Sequence, residues 1–582
     1  MKHFLLLCAG VIAASAFTSC VDDNYDLSDI DTTVKVEVND LTIPINIDQF
    51  TMETIFDINE DDPEATVKVL NGVYAIVRSG SFSSNEIKFQ PIHLGSSVST
   101  ASSTQINTGI SGTVPGGIDI AVPFTTESVS VSYSSSTIPY EVAEISRLGA
   151  NFIINYKLLF KEFIGNISRL SVQDLVIDFP KGLTGTMNIG TYDAEAGKVR
   201  IPHAELTTPE LNLVFTCTAL DFYKIGGTFT YATHTADINA DINADIQISS
   251  GKLCFNSSDY SGNIPSQISI ESECHLTDID VTSFTGRVNY NIEGVDISPV
   301  SLDDLPDVLR QKDTRITLTN PQIYLQLTNP LSPYKLTAQT GISIVSVFTD
   351  EEGNETNTSS HSLDQPGYFI ISDAAQSNYC LSPLGALNAP EDFKPATEVP
   401  FTSLTNVLEG DGLPTSLNIS LVEPKVDNKP VENLPIGTSI GIVEGRYEFV
   451  APLSFGEGSQ VVYSDIESGW GSDIEDATIR RLSVYTKVSS TLPFGVKFIG
   501  YPIDADGNRI NNVSIEGADI PANCTDYELT IHISGEINRL DGIEFTATGY
   551  VPEDMSSPLL PTMTINCKDI RATISGYYQK EL

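Results

Sequence analysis

A strict alternation of apolar and polar residues recurs along this chain, and it confines the fold to β-sheet. From Ala236 to Ile248 the chain reads Ala-Asp-Ile-Asn-Ala-Asp-Ile-Asn-Ala-Asp-Ile-Gln-Ile, so every second residue is Ala or Ile. Successive side chains of a strand point to opposite faces, which predicts one long strand with its apolar face in a core and its acidic and amide face in water. Leu41 to Ile47 alternates in the same way, as does Val67 to Val69. Asn71-Gly72 then separates that run from Val73 to Val77. Asn-Gly there predicts a type I′ hairpin turn, which needs positive φ at both central residues. Helical signals are short: Ser301 stands as an N-cap before Leu302, Leu305, Val308 and Leu309, and Pro306 limits any helix to a turn or two. Residues 316–318 and 323–327 are each closed by Leu-Thr-Asn-Pro and read as a pair of strands. The predicted class is all-β, with several β-sandwich-like modules in series and few short helices.

An internal echo helps to place those modules. The chain contains four Arg-Leu pairs, at Arg147, Arg169, Arg481 and Arg539, and each has Ile two residues before the Arg. The spacing is irregular, which excludes a solenoid. The pattern predicts a recurrent lead-in to a strand, with Ile and Leu inward and Arg at the rim. The expected organisation is a signal peptide over 1–19, an acidic tether over 20–40, and β domains over 41–140, 141–300, 301–474 and 475–582. The third of these carries the short helix and Pro/Gly-rich loops.

The N-terminus is a secretory signal. Lys2 and His3 precede the apolar run from Phe4 to Ala14, then come small residues through Ser19, then Cys20. The run is too short for a transmembrane helix. A Cys at the cleavage point, after a small residue, predicts a lipoprotein signal in which Cys20 becomes the acylated first residue. The adjoining segment Val21-Asp22-Asp23-Asn24-Tyr25-Asp26 resembles surface lipoproteins of the Bacteroidota. That resemblance implies that Asp22 and Asp23 belong to an export signal for the outer leaflet of the outer membrane. It also implies that Asp31-Thr32-Thr33 offers Thr32 for O-glycosylation. Tyr447 to Gly456, Gly469-Trp470-Gly471, Leu492-Pro493 and Asp504 to Asn508 are similar to uncharacterised lipoproteins of the same group. The implied location is the outer membrane, lipid-anchored at the cell surface.

Charge and motif content narrow the function. The chain holds 76 Asp and Glu against 32 Lys and Arg, and removing Lys2 with the signal takes the net charge from −44 to −45. Such a field repels phosphate backbones and anionic lipid head groups, so nucleic acid is excluded as a partner. Beyond residue 20 no apolar run reaches the roughly 20 residues that span a bilayer as a helix, leaving the Cys20 lipid as the evident membrane attachment. Six cysteines remain after Cys8 and Cys20, none in a Cys-x-x-Cys arrangement. Cys254 and Cys274 flank a predicted hairpin and form the candidate disulfide; buried free thiols are the other reading. The acidic groups Asp350 to Asn354 and Asp504 to Asn508 place Gly fourth, which fits tight turns better than a calcium loop. Gly437-Thr-Ser439-Ile-Gly441 matches a nucleophile elbow, but no helical pattern comes after it and His532 is the only downstream histidine. The histidines show no metal-ligand spacing, so neither metal nor cofactor is expected. Trp470, on a glycine-flanked acidic loop, is a candidate platform for a sugar ring. The expectation is a binding, adhesion or assembly lipoprotein with a glycan or protein ligand, and not an enzyme. One alternative is a carrier of an apolar ligand, which requires a cavity of several hundred Å³. Another is a glycan-degrading enzyme with two carboxylates about 5–10 Å apart in a cleft.

Overall fold

The computed structural model describes residues 33–44, 49–56, 65–94, 100–110, 112–130, 136–238, 245–293, 295–311, 313–350, 352–410, 412–469, 477–516, 518–551 and 557–581. They form several antiparallel sheets joined by short helical turns. The β-sandwich character expected from the alternation is present. Val142–Phe160, a 19-residue strand, buries Phe152, Ile154, Tyr156, Leu158 and Phe160 at period two. The Val67–Leu70 and Val73–Ser83 strands pair directly across Asn71 and Gly72, whose φ values are 52° and 82°, as a type I′ turn requires. Along the 236–248 alternation, strand is observed at Thr235–Ile238 and again from Gln247, and residues 239–244 lie outside the described residues.

Strand pairing also links segments far apart in sequence. Thr33–Pro44 pairs along its length with Thr564–Glu581, so residues from both ends of the described chain build one six-stranded sheet. A four-stranded sheet of Gln460–Glu467, Gly495–Asp504, Ala518–Ile520 and Leu540–Tyr550 completes this terminal sandwich. Inside it in sequence lies a twelve-stranded sheet, in which Val73–Ser83 pairs with Glu444–Pro452. Innermost is a sandwich of an eight-stranded and a five-stranded sheet, built mainly from residues 100–288. The chain runs out through three shells and back, because each apolar strand face finds its partner across the nest.

Each shell touches the next. Connecting segments link the twelve-stranded sheet to the terminal sandwich: Arg315 bridges to Gln460 of that sandwich, Leu318 bridges to Phe455, and the Tyr74 amide of the twelve-stranded sheet donates to the Leu559 carbonyl. Pro430–Pro435 pairs with Ile279–Val288 of the inner sandwich. Among the described residues no strand pairing joins the terminal and inner sandwiches. One contiguous apolar cluster, from Met52 through Val129 and Phe401 to Met563, takes in residues of all three. The leader end of the terminal sandwich, where Thr33, Ala477 and Asn538 lie, and the inner sandwich's loops beyond Phe160 stand at opposite ends of this order.

Two local expectations are corrected. The short helix is Asp307–Arg310 and starts after Pro306, not at Ser301, since Pro is well placed just before the first helical residue. Residues 316–318 do not pair with 323–327; Leu318 bridges to Phe455, and Gln322–Thr328 pairs with Gln376–Ser382 and Glu444–Pro452.

Candidate functional site

Five of the residues singled out from sequence, Cys20, Asp22, Asp23, Thr32 and Trp470, lie outside the described residues. The candidate disulfide is not formed. Residues 257–266 do not close a hairpin: Gln247–Asn256 belongs to the five-stranded sheet and Gln267–Leu276 to the eight-stranded one. Cys254 therefore sits opposite Ser171 and Ala121, and Cys274 opposite Tyr156 and Thr100. Both are free thiols, and burial pushes Cys274 up to about 12.

The nucleophile-like motif is strand. Ser439–Gly441 pairs with Ile87–Lys88, so Ser439 stands on no strained strand-to-helix turn. In both acidic groups the leading aspartate carboxylate is occupied within a tight turn. Asp350 Oδ1 accepts from the Asn354 amide at 2.7 Å, and Asp504 Oδ1 accepts from the amides of Asp506 and Asn508 at 3.0 and 2.9 Å. Those bonds hold both carboxyls below the usual range. Among the described residues no cluster of His, Cys, Asp and Glu is arranged to hold a metal.

Between its sheets the terminal sandwich has a partly open apolar cavity of about 140 Å³, lined by Phe494, Phe498 and Phe545 on one side and Val488, Leu529 and Ile565 on the other. Phe498 and Phe545 stack at 5.6 Å. The Tyr463 hydroxyl at its border is bonded to Asp465 at 2.8 Å. A void near 150 Å³ lined by aliphatic and aromatic groups stays dry and accepts about one benzene-sized group. This cavity is thus smaller than the several hundred Å³ expected of a carrier.

Carboxylates come together in an open groove of about 380 Å³ on the inner sandwich, where Glu271 and Glu273 share one strand face. Lys161 pairs with Glu271, and Lys157 lies opposite Glu273 in register. A larger polar groove of about 720 Å³ on the twelve-stranded sheet holds the single carboxylate Glu444 beside Arg446. The carboxyl whose surroundings most resemble those of a general acid is Glu448, raised by burial and by Asp392; periodicity gave no hint of it. It lines none of these grooves.

The far end of the inner sandwich gathers three connections, over 107–118, 161–168 and 257–266. They are tied to one another. Ser257 Oγ accepts from the Ile118 amide at 2.9 Å and donates to the Pro115 carbonyl at 2.7 Å. Ser168 Oγ donates to Asp259 at 3.0 Å, and the Tyr260 hydroxyl to the Glu162 carbonyl at 3.2 Å. Glu162 in turn accepts from the amide and hydroxyl of Ser269 at 2.6 and 2.8 Å. Ile118 and Ile164 remain 45% and 52% exposed on this braced surface. Alternation could not reveal the cluster, since long-range pairing alone brings these loops together.

Fold and site together define an all-β protein of sandwich-like modules. No known family model and no curated protein matches the chain. Among solved structures, a protein of Parabacteroides distasonis ATCC 8503 provisionally assigned as secreted aligns with 49% of this chain and 82% of its own length, at 15% identity and a TM-score of 0.33. An archaeal-virus structure with a triple jelly-roll fold covers 83% of this chain and 90% of its own, at 13% identity and a TM-score of 0.12. Likenesses at these TM-scores carry no argument.

Proposed function

We propose that this chain is a lipid-anchored protein of the outer membrane surface that presents the far end of its inner sandwich to a glycan or protein partner, and that it binds without catalysing. The observation that carries this reading is the nest itself. The leader from Cys20 joins the terminal sandwich, and two further shells separate that sandwich from the braced loops around Ile118 and Ile164. One apolar cluster reaches into all three shells, and loops carried on a packed scaffold are the usual place for recognition. Among the described residues no helix is long and apolar enough to cross a membrane.

The test has two arms. Protease added to intact cells is expected to shave the protein, with resistance on changing Asp22 and Asp23 to Ala while the chain stays membrane-bound. Purified protein is expected to bind saturably to a member of a glycan and extracellular-protein panel, and Ile118→Asp with Ile164→Asp is expected to weaken that binding at least tenfold. Turnover of a panel member, abolished by one Asp or Glu substitution with the fold intact, overturns the reading.

A further inference from the structure

We propose that the gap between the two sheets of the terminal sandwich is a binding site for one small, uncharged aromatic molecule about the size of toluene. Protein interiors are close-packed, and the inner faces of a sandwich normally interdigitate in one core. Here they part. Ile543 and Phe545 form one small buried group and Val488, Ala518 and Leu529 another, with Phe498 packed against both. Between them lies the cavity of about 140 Å³. An unfilled void of this size forfeits the contacts that its lining would otherwise make, and a fitting guest restores them.

The wall on the four-stranded sheet is shaped for a ring. Tyr463, Ala547, Phe498 and Ala518 are register partners in one row across its four strands, so large and small side chains alternate. All four line the cavity. Phe545, two residues before Ala547 on the same strand face, has its ring centre 5.9 Å from that of Tyr463 and 5.6 Å from that of Phe498. Three rings therefore flank the position of Ala547, whose methyl group leaves a slot open. Aromatic rings about 4.5–7 Å apart between centres attract one another in offset or edge-on arrangements, so a planar guest in that slot completes the cluster. Val488, Leu529 and Ile565 line the gap from the six-stranded sheet, and Val308 of the helix Asp307–Arg310 adds a wall that belongs to neither sheet.

The chemistry of the lining sets the class of guest. Among the described residues that line the cavity none is charged. Its polar side-chain atoms are the Tyr463 hydroxyl, which donates to Asp465 at 2.8 Å, and the Cys567 thiol, which burial pushes up and so keeps neutral. A hydroxyl, amine or carboxylate on the guest would lose its water and find no partner here. An acyl chain or a sterol is too large for the volume. A hydrocarbon ring with a methyl substituent meets both limits.

The experiment adds toluene to the purified full chain carrying Cys20→Ser, so that neither an acyl chain nor detergent takes up the ligand, and follows binding by calorimetry and thermal unfolding. Saturable binding of one toluene per chain is expected, with a raised melting temperature. Phenol and benzoate are expected to bind at least about tenfold more weakly. Ala547→Leu and Ala518→Leu fill the gap and are expected to abolish the toluene signal in folded protein. Phe498→Ala widens the gap and is expected to admit naphthalene, which the parent excludes; this variant carries the test where the leucine variants do not fold. An uncharged thiol reagent, its sites mapped by mass spectrometry, is expected to modify Cys567 more slowly in the presence of toluene. Cys254 of the inner sandwich, also a free and half-buried thiol, is expected to react at an unchanged rate. No saturable toluene binding, phenol bound as tightly as toluene, binding unaltered in folded Ala547→Leu protein, exclusion of naphthalene by folded Phe498→Ala protein, or equal protection of Cys254 overturns the proposal. So does binding of a phenylalanine-bearing peptide where toluene is not bound, which would make the gap a docking site for a protein.

Discussion

Glu448 is held half-buried between Tyr324 and Ser79 in register, on a strand that crosses the centre of the twelve-stranded sheet. Burial raises its pKa, the charge of Asp392 adds to that rise, and Lys68 opposes it. A carboxyl raised in the folded state favours the protonated form. Its contribution is therefore most favourable in acid and declines as pH climbs from the unfolded value through the raised folded one. Glu448→Gln keeps the shape and removes that decline. The variant should melt higher than the parent at neutral pH, and at the same temperature well below the carboxylate range, in thermal unfolding followed by circular dichroism. A lower melting temperature at neutral pH would mean that attraction to Lys68 outweighs burial. Cys254 and Cys274 show why residue-scale reading fails where it depends on neighbours in space. Proximity in sequence suggested a hairpin, whereas the strands carrying them go to opposite sheets of one sandwich.

The Ile-x-Arg-Leu echo acquires a physical meaning at the scale of the strand. Ile and Leu three residues apart cannot both face inward on a strand of strict period two. At Ile145 and Ile479 the register shifts before Arg147 and Arg481, so a bulge absorbs the extra residue and turns the arginine outward. At Ile537 the extra step falls instead in the turn at Arg539, whose φ is 57°. Each of the two bulges stands opposite a glycine, Gly286 or Gly576. A methyl group on Gly286 would lie 1.7 Å from the Glu144 carbonyl oxygen, and on Gly576 2.2 Å from that of Thr478. Gly286→Ala and Gly576→Ala should each destabilise by about 1–3 kcal/mol or more, measured as a lower urea midpoint. An unchanged midpoint would show that the bulges relax freely. Short-range patterns such as this echo and Asn71-Gly72 were legible in sequence because their chemistry is complete within a few residues. The joining of 107–118, 161–168 and 257–266 into one surface was not, since alternation specifies which face of a strand is buried and says nothing of the strand it meets.

For the whole molecule, the nest predicts which pieces can fold. Residues 301–474 lack the Val73–Ser83 strand that pairs with Glu444–Pro452, and residues 475–582 lack Thr33–Pro44 against Thr564–Glu581. Produced separately, both pieces should show little cooperative unfolding and bind a hydrophobic dye. Replacing residues 100–288 by a short Gly/Ser linker should instead leave the two outer shells with a cooperative transition. Two well-folded serial pieces would contradict the pairing. The closure of Thr33–Pro44 onto Thr564–Glu581 also has a consequence in time. Contacts so far apart in sequence are slow to form, because a long loop must close before they reward it. The strand made early waits, edge open, until the strand made more than five hundred residues later arrives. A polypeptide that lacks Thr564–Glu581 never seals that edge, which leaves it open to proteases; making that strand and becoming protease-resistant are coupled events for this protein.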